Sequence, residues 1–307
     1  MFKCLEGVLK NLESIRAAFV WGSNETNKKR VWIKWLNLMA SLEKGGLNVG
    51  SIKAFNISLI QKWRWRLNIA SDSLWAPVVS SIYGSDGGVF NQSSRGKSVW
   101  TNITTSIRDM HSKNIIPLLT LRKRVRNGNT TKFWKDNWIG EARLSDRFNC
   151  LAHLDTNTDF LVCDRFINGS WSWDWIRNEL GSCNTASFST MLTELSNVSL
   201  GDQYDIWYWS IASDGSFAVN STISHVDNVM LPSLSPAMFW CKVIPQKVNV
   251  SMWRLGVDRL PTRLNLSVRG LEINSISCPV CSSNVESQDH IFFCGEVTDH
   301  VWFKIRR

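Results

Sequence analysis

Two short cysteine-containing motifs near the end of the chain restrict its fold more than any other part of the sequence. Cys278 and Cys281 are separated by two residues, and Pro279 stiffens the turn between them. His290 and Cys294 are four residues apart, so on a helix they lie on one face, one turn apart. Two sulfurs from a turn and two further ligands from a helix can complete a tetrahedron. The spacing therefore predicts a closed, structural zinc site held by these two cysteines, His290 and Cys294.

The charge of such a site and its alternatives follow from the same residues. Three thiolates and one neutral imidazole leave a net charge of about minus one around Zn²⁺, and we expect Arg263 and Arg269 to offset it. Two alternatives stay open at this point. The two close cysteines could be buried thiols or a redox pair, although a redox motif is expected to open a helix in a βαβ pattern. His300 could replace His290 as the fourth ligand.

The sequence around these motifs resembles a known family. The segments that carry the resemblance are, in order, Pro245-Gln246-Lys247-Val248, Met252-Trp253-Arg254-Leu255, Asp258-Arg259-Leu260-Pro261-Thr262-Arg263-Leu264-Asn265-Leu266, Arg269-Gly270, the two cysteine motifs with Glu286-Ser287 between them, and Val301-Trp302. This order is similar to the zinc-binding domain that follows the polymerase in plant LINE-type (non-LTR) retrotransposon reverse transcriptases. One departure is that the last histidine and cysteine are separated by one residue fewer than is usual there.

Upstream segments extend the resemblance over nearly the whole chain. They are Phe19-Val20-Trp21-Gly22, Val31-Trp32, Lys34-Trp35, Lys44-Gly45-Gly46-Leu47, Lys62-Trp63-Arg64-Trp65-Arg66-Leu67, Tyr83-Gly84, Asn127-Gly128 and Phe133-Trp134-Lys135-Asp136-Asn137-Trp138. The resemblance implies four regions: a helical remnant of the polymerase thumb or connection at 1–84, a linker at 85–97, a mixed α/β connecting region at 98–220, and the reverse transcriptase-like zinc-binding domain at 221–307. It also implies a fragment whose partner is the polymerase domain of a parent polyprotein.

Composition indicates the class of partner. The 307 residues carry a net charge of +9, which favours polyanions, with nucleic acid, either RNA or DNA, as the first expectation. Most of the 17 tryptophans are expected in the core, and a minority could stack on bases. The cysteines outside the motifs are scattered, which is typical of free thiols in a reducing compartment, nuclear or cytoplasmic. No apolar run is long enough to cross a membrane.

Apolar periodicity predicts two N-terminal helices. Residues 2–20 place Phe2, Leu5, Leu9, Leu12, Ile15 and Phe19 on one face, which needs a partner to bury it. Along the second helix Phe55, Leu59, Trp63 and Leu67 recur every four residues. This spacing turns Trp65 and its neighbours Arg64 and Arg66 toward the outer face.

Three basic stretches are candidates for nucleic-acid contact. Basic residues interleaved with aromatic ones suit phosphate contact combined with base stacking, and a solvated face beside core tryptophans is the alternative. The candidates are Lys28, Lys29, Arg30 and Lys34 beside Trp32 and Trp35, then Arg64, Trp65 and Arg66, and finally Arg122 and Arg124. The last two could form a phosphate-facing strand or a solvated strand that protects a sheet edge.

Turn signals predict β-hairpins in the middle of the chain. Asn127-Gly128 and Asn168-Gly169 each lie between β-favouring runs, which is the strongest short hairpin signal. A third unit would join 206–209 to 217–219 through Asp214-Gly215. Near the end, Pro261 and Gly270 bracket a short helix with Leu264 and Val268 inward. We therefore expect an α+β fold: a mainly helical N-terminal part, short β-hairpins in the middle, and a small zinc-stapled helical module at the C-terminus.

The sequence offers no recognisable catalytic motif. None of the three tyrosines, Tyr83, Tyr204 and Tyr208, opens the Tyr-x-Asp-Asp turn with which such a polymerase holds two metal ions. We therefore expect a non-catalytic protein that binds one structural Zn²⁺ and nucleic acid. The alternatives are a protein-interaction or structural module and a decayed retroelement product.

Overall fold

Helices dominate the architecture, and the strands are few and short. The computed structural model describes residues 3–23, 31–69, 73–84, 86–90, 96, 98–177, 181–233 and 240–306. The helices are α1 (Glu6–Trp21), α2 (Trp35–Met39), α3 (Ile52–Ile69), α4 (Trp75–Tyr83), α5 (Val99–Ser112), α6 (Leu144–Arg147), α7 (Asn149–Leu154), α8 (Val162–Arg165), α9 (Ser182–Leu195), α10 (Val219–Met230), α11 (Gln246–Gly256), α12 (Arg263–Val268) and α13 (Glu296–Ile305). The strands are β1 (Leu121–Arg124), β2 (Phe166–Ile167), β3 (Ser170–Trp171) and β4 (Ile206–Trp209). This confirms the predicted α+β class.

The chain forms two units. The first comprises Met1–Glu6 and Ile52–Val226, and it contains both two-stranded sheets. The second comprises Gly7–Ser51 and Asp227–Arg307, and it contains the cysteine motifs. Short 3-10 helices occupy Leu42–Lys44 and Leu118–Thr120, and a π-helical turn covers His290–Cys294.

The hairpin at Asn168-Gly169 is confirmed. Strands β2 and β3 pair antiparallel, with Ile167 opposite Ser170. Asn168 and Gly169 both have positive φ, 50° and 80°, as a tight turn of the type that suits strand twist requires. The whole unit is local in sequence, which is why its turn residues were sufficient to predict it.

The hairpin predicted at Asn127-Gly128 is wrong. Strand β1, which precedes this turn, pairs antiparallel with β4, so that Leu121 lies opposite Trp209. The third predicted hairpin is also wrong in its second half, because α10 already begins at Val219. The two wrongly predicted hairpins thus supply one strand each to a single sheet.

A network of hydrogen bonds around one carboxylate explains why the chain turns away after β1. The carboxylate of Asp205, the residue before β4, accepts five hydrogen bonds from the loop that follows β1. The donors are the N–H groups of Arg126, Gly128 and Thr130 and the hydroxyls of Thr130 and Thr131, at 2.7–3.2 Å. Because this carboxylate satisfies the loop's donors, the loop does not need a second strand.

Helix α3 presents a different face to the core than its apolar spacing predicts. Its buried residues include Ile57, Ile60, Gln61 and Arg64. Phe55, which was expected inside, is 49% exposed. The periodicity was misleading because three of the buried positions, Ser58, Gln61 and Arg64, are polar, so the true inner face is not the most apolar one.

The second unit has its own tryptophan core. Trp253 of α11 is fully buried against Ile33 and Leu38, and its indole N–H donates to the carbonyl of Gly45 at 2.7 Å. Trp32 and Trp35 pack around this cluster. Trp32 and Trp35, the tryptophans of the first basic stretch, therefore pack on the core, as expected if that stretch is a solvated face beside core tryptophans.

Helix α1 is confirmed, but its apolar stripe is largely uncovered. Leu9 is buried, whereas Leu5, Ile15 and Phe19 are 73%, 66% and 86% exposed. Phe2 lies outside the described residues. Among the described helices, none combines the length and the apolar character that crossing a membrane requires.

Candidate metal centre

A tight turn brings the first two cysteines together. The N–H of Cys278 donates to the carbonyl of Asn284 at 2.7 Å, and the N–H of Ser282 returns to the carbonyl of Cys278 at 2.8 Å. Ser282 has a positive φ of 58°, which lets the chain reverse directly after Cys281. Both sulfurs are thereby held on one side of the turn, as the CxxC spacing predicts.

His290 completes a group of three possible ligands. Its Nε2 lies 3.2 Å from the Sγ of Cys281, and one donor atom from each of these residues and from Cys278 lies within 4.8 Å of the others. The N–H of His290 donates to the hydroxyl of Ser287 at 3.1 Å, which fixes where the π-helical turn begins. Two thiols and an imidazole at this separation suit a tetrahedral Zn²⁺ site, whose bonds are about 2.0–2.3 Å long.

The local hydrogen bonds favour a thiolate at the exposed side of the group. The N–H groups of Ser283 and Asn284, followed by the Ser283 hydroxyl, lower the pKa of the Cys281 thiol to about 6. Cys278 is 4% exposed, so the group has one buried and one accessible sulfur. Because metal ions bind the thiolate and not the thiol, Cys281 is ready to ligate at neutral pH.

The fourth predicted ligand is not part of this group. Cys294 is exposed at the end of the π-helical turn, and the structure does not bring its sulfur within the distance that joins the other three donors. His300, the alternative ligand, is also exposed, on α13. The prediction assumed an α-helix from His290 to Cys294, whereas the backbone widens there into a π-turn, a feature that is common at functional sites.

One of the two arginines that were predicted to offset the charge of the site holds the cysteine turn in place. Arg263 donates to the carbonyl of Ser277 at 2.9 Å and pairs with Glu286 at 3.3 Å, so one of the two predicted cations is beside the cysteine turn. Arg269 is not: it donates to the carbonyls of Val31 and Trp32, and its guanidinium lies over the Trp32 ring. The prediction that Arg269 offsets the charge of the sulfurs therefore has no contact in the structure to support it.

Glycine is required directly after the π-turn. A Cβ at Gly295 would lie 2.6 Å from the carbonyl oxygen of His290 and 3.5 Å from its ring.

The short helix α12 begins at an N-cap: the hydroxyl of Thr262 accepts a hydrogen bond from the N–H of Asn265. The prediction that Val268 of α12 faces inward is wrong, since it is 77% exposed.

The predicted nucleic-acid residues lie in different environments. Lys28, Lys29 and Arg30 lie outside the described residues, and Lys34 is exposed. Arg64 is buried and donates to the carbonyl of Leu118, contrary to the prediction that it faces outward. Arg66 is exposed, with its guanidinium 5.8 Å from the centre of the Trp63 ring.

Trp65 and the strand arginines lie in the same unit. Trp65 is half-buried and stacks on Phe217 at 6.1 Å, so it is not the exposed ring that was predicted. Arg122 is half-buried and donates to the carbonyl of Gly140, whereas Arg124 is exposed over the Tyr208 ring. Of the two strand arginines, only Arg124 is therefore exposed enough to contact phosphate or to act as a solvated charge at a sheet edge.

A groove of about 930 Å³ brings some of these residues together. It is lined by Trp65, Arg124, Trp207 and Tyr208, among others, and we name it the β1–β4 groove. Sequence analysis missed Trp207 and Tyr208, although β4 is a run of aromatic residues that could have indicated them. Asp205 also lines the groove. Burial raises the pKa of its carboxyl, but the hydrogen bonds from the N–H groups of the loop lower it more, so that the pKa is about 2.

Comparison with known proteins shows two similarities. The family described as zinc-binding in reverse transcriptase matches residues 217–302, which include the whole cysteine group. A protein of Arabidopsis thaliana, provisionally named a ribonuclease H protein, is 26% identical over 311 aligned positions. The alignment covers 98% of this chain but 48% of that relative, so the chain spans about half the relative's length. No solved structure matches the chain. These likenesses support a retrotransposon-related protein with a reverse transcriptase-like zinc-binding region.

Proposed function

We propose that the C-terminal module binds one structural Zn²⁺ through Cys278, Cys281 and His290, with Cys294 as the fourth ligand. The observation that carries this proposal is the group of three donor atoms within 4.8 Å of one another. The match to a zinc-binding family over the same residues supports it. When bound, the ion would link the cysteine turn to the π-helical turn and so stabilise the module.

Metal content of the full chain tests the proposal directly. Inductively coupled plasma mass spectrometry on purified protein is expected to find one zinc per chain. The double variant Cys278→Ser with Cys281→Ser should lose it, whereas Cys150→Ser, which changes an exposed cysteine of the other unit, should keep it. A folded wild-type chain that contains no zinc, even after incubation with the ion, would refute the proposal.

We further propose that the first unit contacts nucleic acid at the β1–β4 groove. The exposed guanidinium of Arg124 and the aromatic side chains Trp65 and Tyr208 line one surface, which suits phosphate contact beside base stacking. The net charge of +9 supports a polyanionic partner. The sequence resemblance to plant LINE-type reverse transcriptases supports the same class of partner.

Fluorescence anisotropy with labelled single-stranded RNA and DNA tests this second proposal. Affinity should fall as salt rises, because phosphate contacts release counterions. Arg124→Ala should weaken binding severalfold and reduce the salt slope by about one, whereas Lys242→Ala, an exposed cation of the other unit, should not. Binding that is indifferent to salt and to Arg124 would rule out this groove.

The role proposed here is one of binding, without catalysis. The Arabidopsis relative is named for ribonuclease H, but this chain covers 48% of it, so that name does not carry over. Incubation with an RNA–DNA hybrid and Mg²⁺ should leave the RNA strand intact, and cleavage that persists after further purification would overturn this part of the proposal.

One observation favours a second function, protein interaction. Ile15 and Phe19 expose apolar side chains along α1, a feature typical of surfaces that bind another protein. Under this alternative, the partner would be the polymerase domain of a parent polyprotein. Substitution of Phe19 by Ser should then abolish co-purification with that domain and leave zinc content unchanged.

A further inference from the structure

A cavity of about 570 Å³ lies within the Ile52–Val226 unit, apart from the cysteine group. Two arginines, Arg64 and Arg143, line it together with Asp86. Neutral or titratable polar side chains complete much of the wall: Asn68, Tyr83, Ser145, Asn149, His153 and Thr158. Its volume falls in the range of about 300–1,000 Å³ that is usual for small-molecule sites, and its polar wall suits a charged ligand.

Arg64 is a buried cation with unused hydrogen-bonding capacity. It is 3% exposed, and its Nη2 donates to the carbonyl of Leu118. Its Nη1 is buried and has no hydrogen-bond partner among the described residues. Burial and the nearby charge of Arg143 lower the pKa of this guanidinium to about 9, while Asp86 opposes the change. A buried guanidinium with an unpaired N–H is costly unless an anion compensates for it.

Arg143 adds a second guanidinium that is only partly compensated. Its Nη2 lies 3.6 Å from Asp86, its guanidinium covers the ring of Phe90, and its buried Nε has no partner within the described part of the chain. The Asp86 carboxylate also accepts the N–H groups of Gly88 and Phe90, at 3.0 and 3.2 Å. One carboxylate that already has other donors therefore serves two guanidinium groups.

The other carboxylates of the wall act on Arg143 and not on Arg64. Lys135 pairs with Asp159 at 2.7 Å, and Asp136 pairs with Lys123 at 3.3 Å. Asp146, which is exposed, and Asp136 both favour the charged form of Arg143. Among the described residues of the wall, Asp86 is therefore the carboxylate that acts on Arg64.

We propose that this cavity binds a phosphate monoester, with Arg64 and Arg143 as its cationic ligands. Guanidinium groups present paired N–H donors that match the oxygens of a phosphate. The double negative charge of a phosphate monoester compensates the positive charges of both arginines. A carboxylate compensates only one of them. The monoester could be a free nucleotide or the phosphorylated end of a nucleic-acid strand. The site is separate from the cysteine group, and it shares Asn68 and Trp207 with the β1–β4 groove.

Calorimetric titration of the full chain with inorganic phosphate and with AMP tests the proposal. Both should bind, whereas adenosine, chloride and acetate at equal ionic strength should not. An oligonucleotide with a 5′-phosphate, compared with the same strand bearing a 5′-hydroxyl, then separates the two sources. Tighter binding of the phosphorylated strand than of the hydroxyl strand identifies the strand end, and equal binding of the two strands while AMP binds identifies the free nucleotide.

Variants connect the binding to the two arginines. Arg143→Gln should weaken phosphate binding at least tenfold, and Arg64→Met should abolish it. Arg66→Gln removes an exposed charge two residues away on the same helix and should change the affinity less than twofold. Because Arg64→Met also leaves the Leu118 carbonyl without its donor, it should lower the thermal stability of the phosphate-free protein.

Two results would overturn the proposal. One is phosphate binding no tighter than acetate binding to the wild-type chain. The other is wild-type affinity in Arg143→Gln, which keeps a polar side chain at a position that is 13% exposed and so remains informative if Arg64→Met fails to fold.

Discussion

Replacing Asp205 with alanine should destabilise the first unit by about 3 kcal/mol at neutral pH. The side chain accepts five hydrogen bonds from the loop after β1. Each hydrogen bond to a charged group contributes about 1.5–3 kcal/mol when measured singly, but bonds to one carboxylate are not additive. The loop's N–H groups would also lose their acceptor, and partial access of water limits that cost.

The pKa of Asp205 supplies an independent magnitude. Its lowering from the ordinary value of 3.8 to about 2 would correspond to about 2.4 kcal/mol, which solvent screening reduces to about 1–2 kcal/mol. A lowered carboxyl pKa stabilises the fold above pH 3.8, and this part is lost as the pH falls from 3.8 toward 2. The wild type and the variant should therefore become more alike in acid.

Urea unfolding and hydrogen exchange together measure this effect. The chain has two units, so exchange of the 126–131 amides is the local readout, and loss of protection there is expected with Asp205→Ala. The exposed Asp202 is the control, and its replacement by alanine should change stability by less than about 0.5 kcal/mol. If Asp205→Ala were as mild as this control, the carboxylate would not organise the loop.

Three further predictions concern the C-terminal module. Gly295→Ala should reduce zinc affinity at least tenfold in a chelator competition, because its Cβ would meet the His290 carbonyl at 2.6 Å, whereas Gly201→Ala, with open space around it, should not. Zinc affinity should fall as the pH drops from 7 to 5, because Cys281, whose pKa is about 6, and the other ligands bind the ion only when deprotonated, so a pH-independent affinity in this range would contradict thiolate ligation. Thr262→Ala should cost about 1 kcal/mol in thermal unfolding of the module and Thr262→Ser much less, because only alanine removes the N-cap acceptor of α12.

Local features of the fold were predictable from sequence, and long-range ones were not. The turn at Asn168-Gly169 and the CxxC turn depend on residues a few positions apart, and both form as expected. The turn at Asn127-Gly128 carries the same signal, but a carboxylate far along the chain, Asp205, decides its structure. No periodicity or turn residue encodes that partnership.

Burial of polar groups was the second source of error. Arg64 and Trp65 were expected on an outer face, since the apolar residues of α3 define a different inner stripe. The protein instead buries Arg64 and compensates for it with Leu118 and Asp86. A sequence pattern assigns charged residues to the surface by default, so a buried arginine is the kind of residue that such reasoning misses.

The position of Cys294 is the point at which local spacing fails within the metal centre. To join the other ligands its sulfur must move, yet Trp302 and Thr298 of α13 donate to the carbonyls of Phe292 and Ile291 and hold the π-turn. If zinc recruits Cys294, its share of the about 10–16 kcal/mol typical of structural zinc is about a quarter, which makes the affinity of Cys294→Ser about 70- to 900-fold weaker. Exchange of the 291–294 amides should then change on zinc binding in the wild type only. An unchanged affinity in Cys294→Ser would mean three protein ligands and an open fourth position, which is the arrangement of zinc sites that bind a water or another molecule.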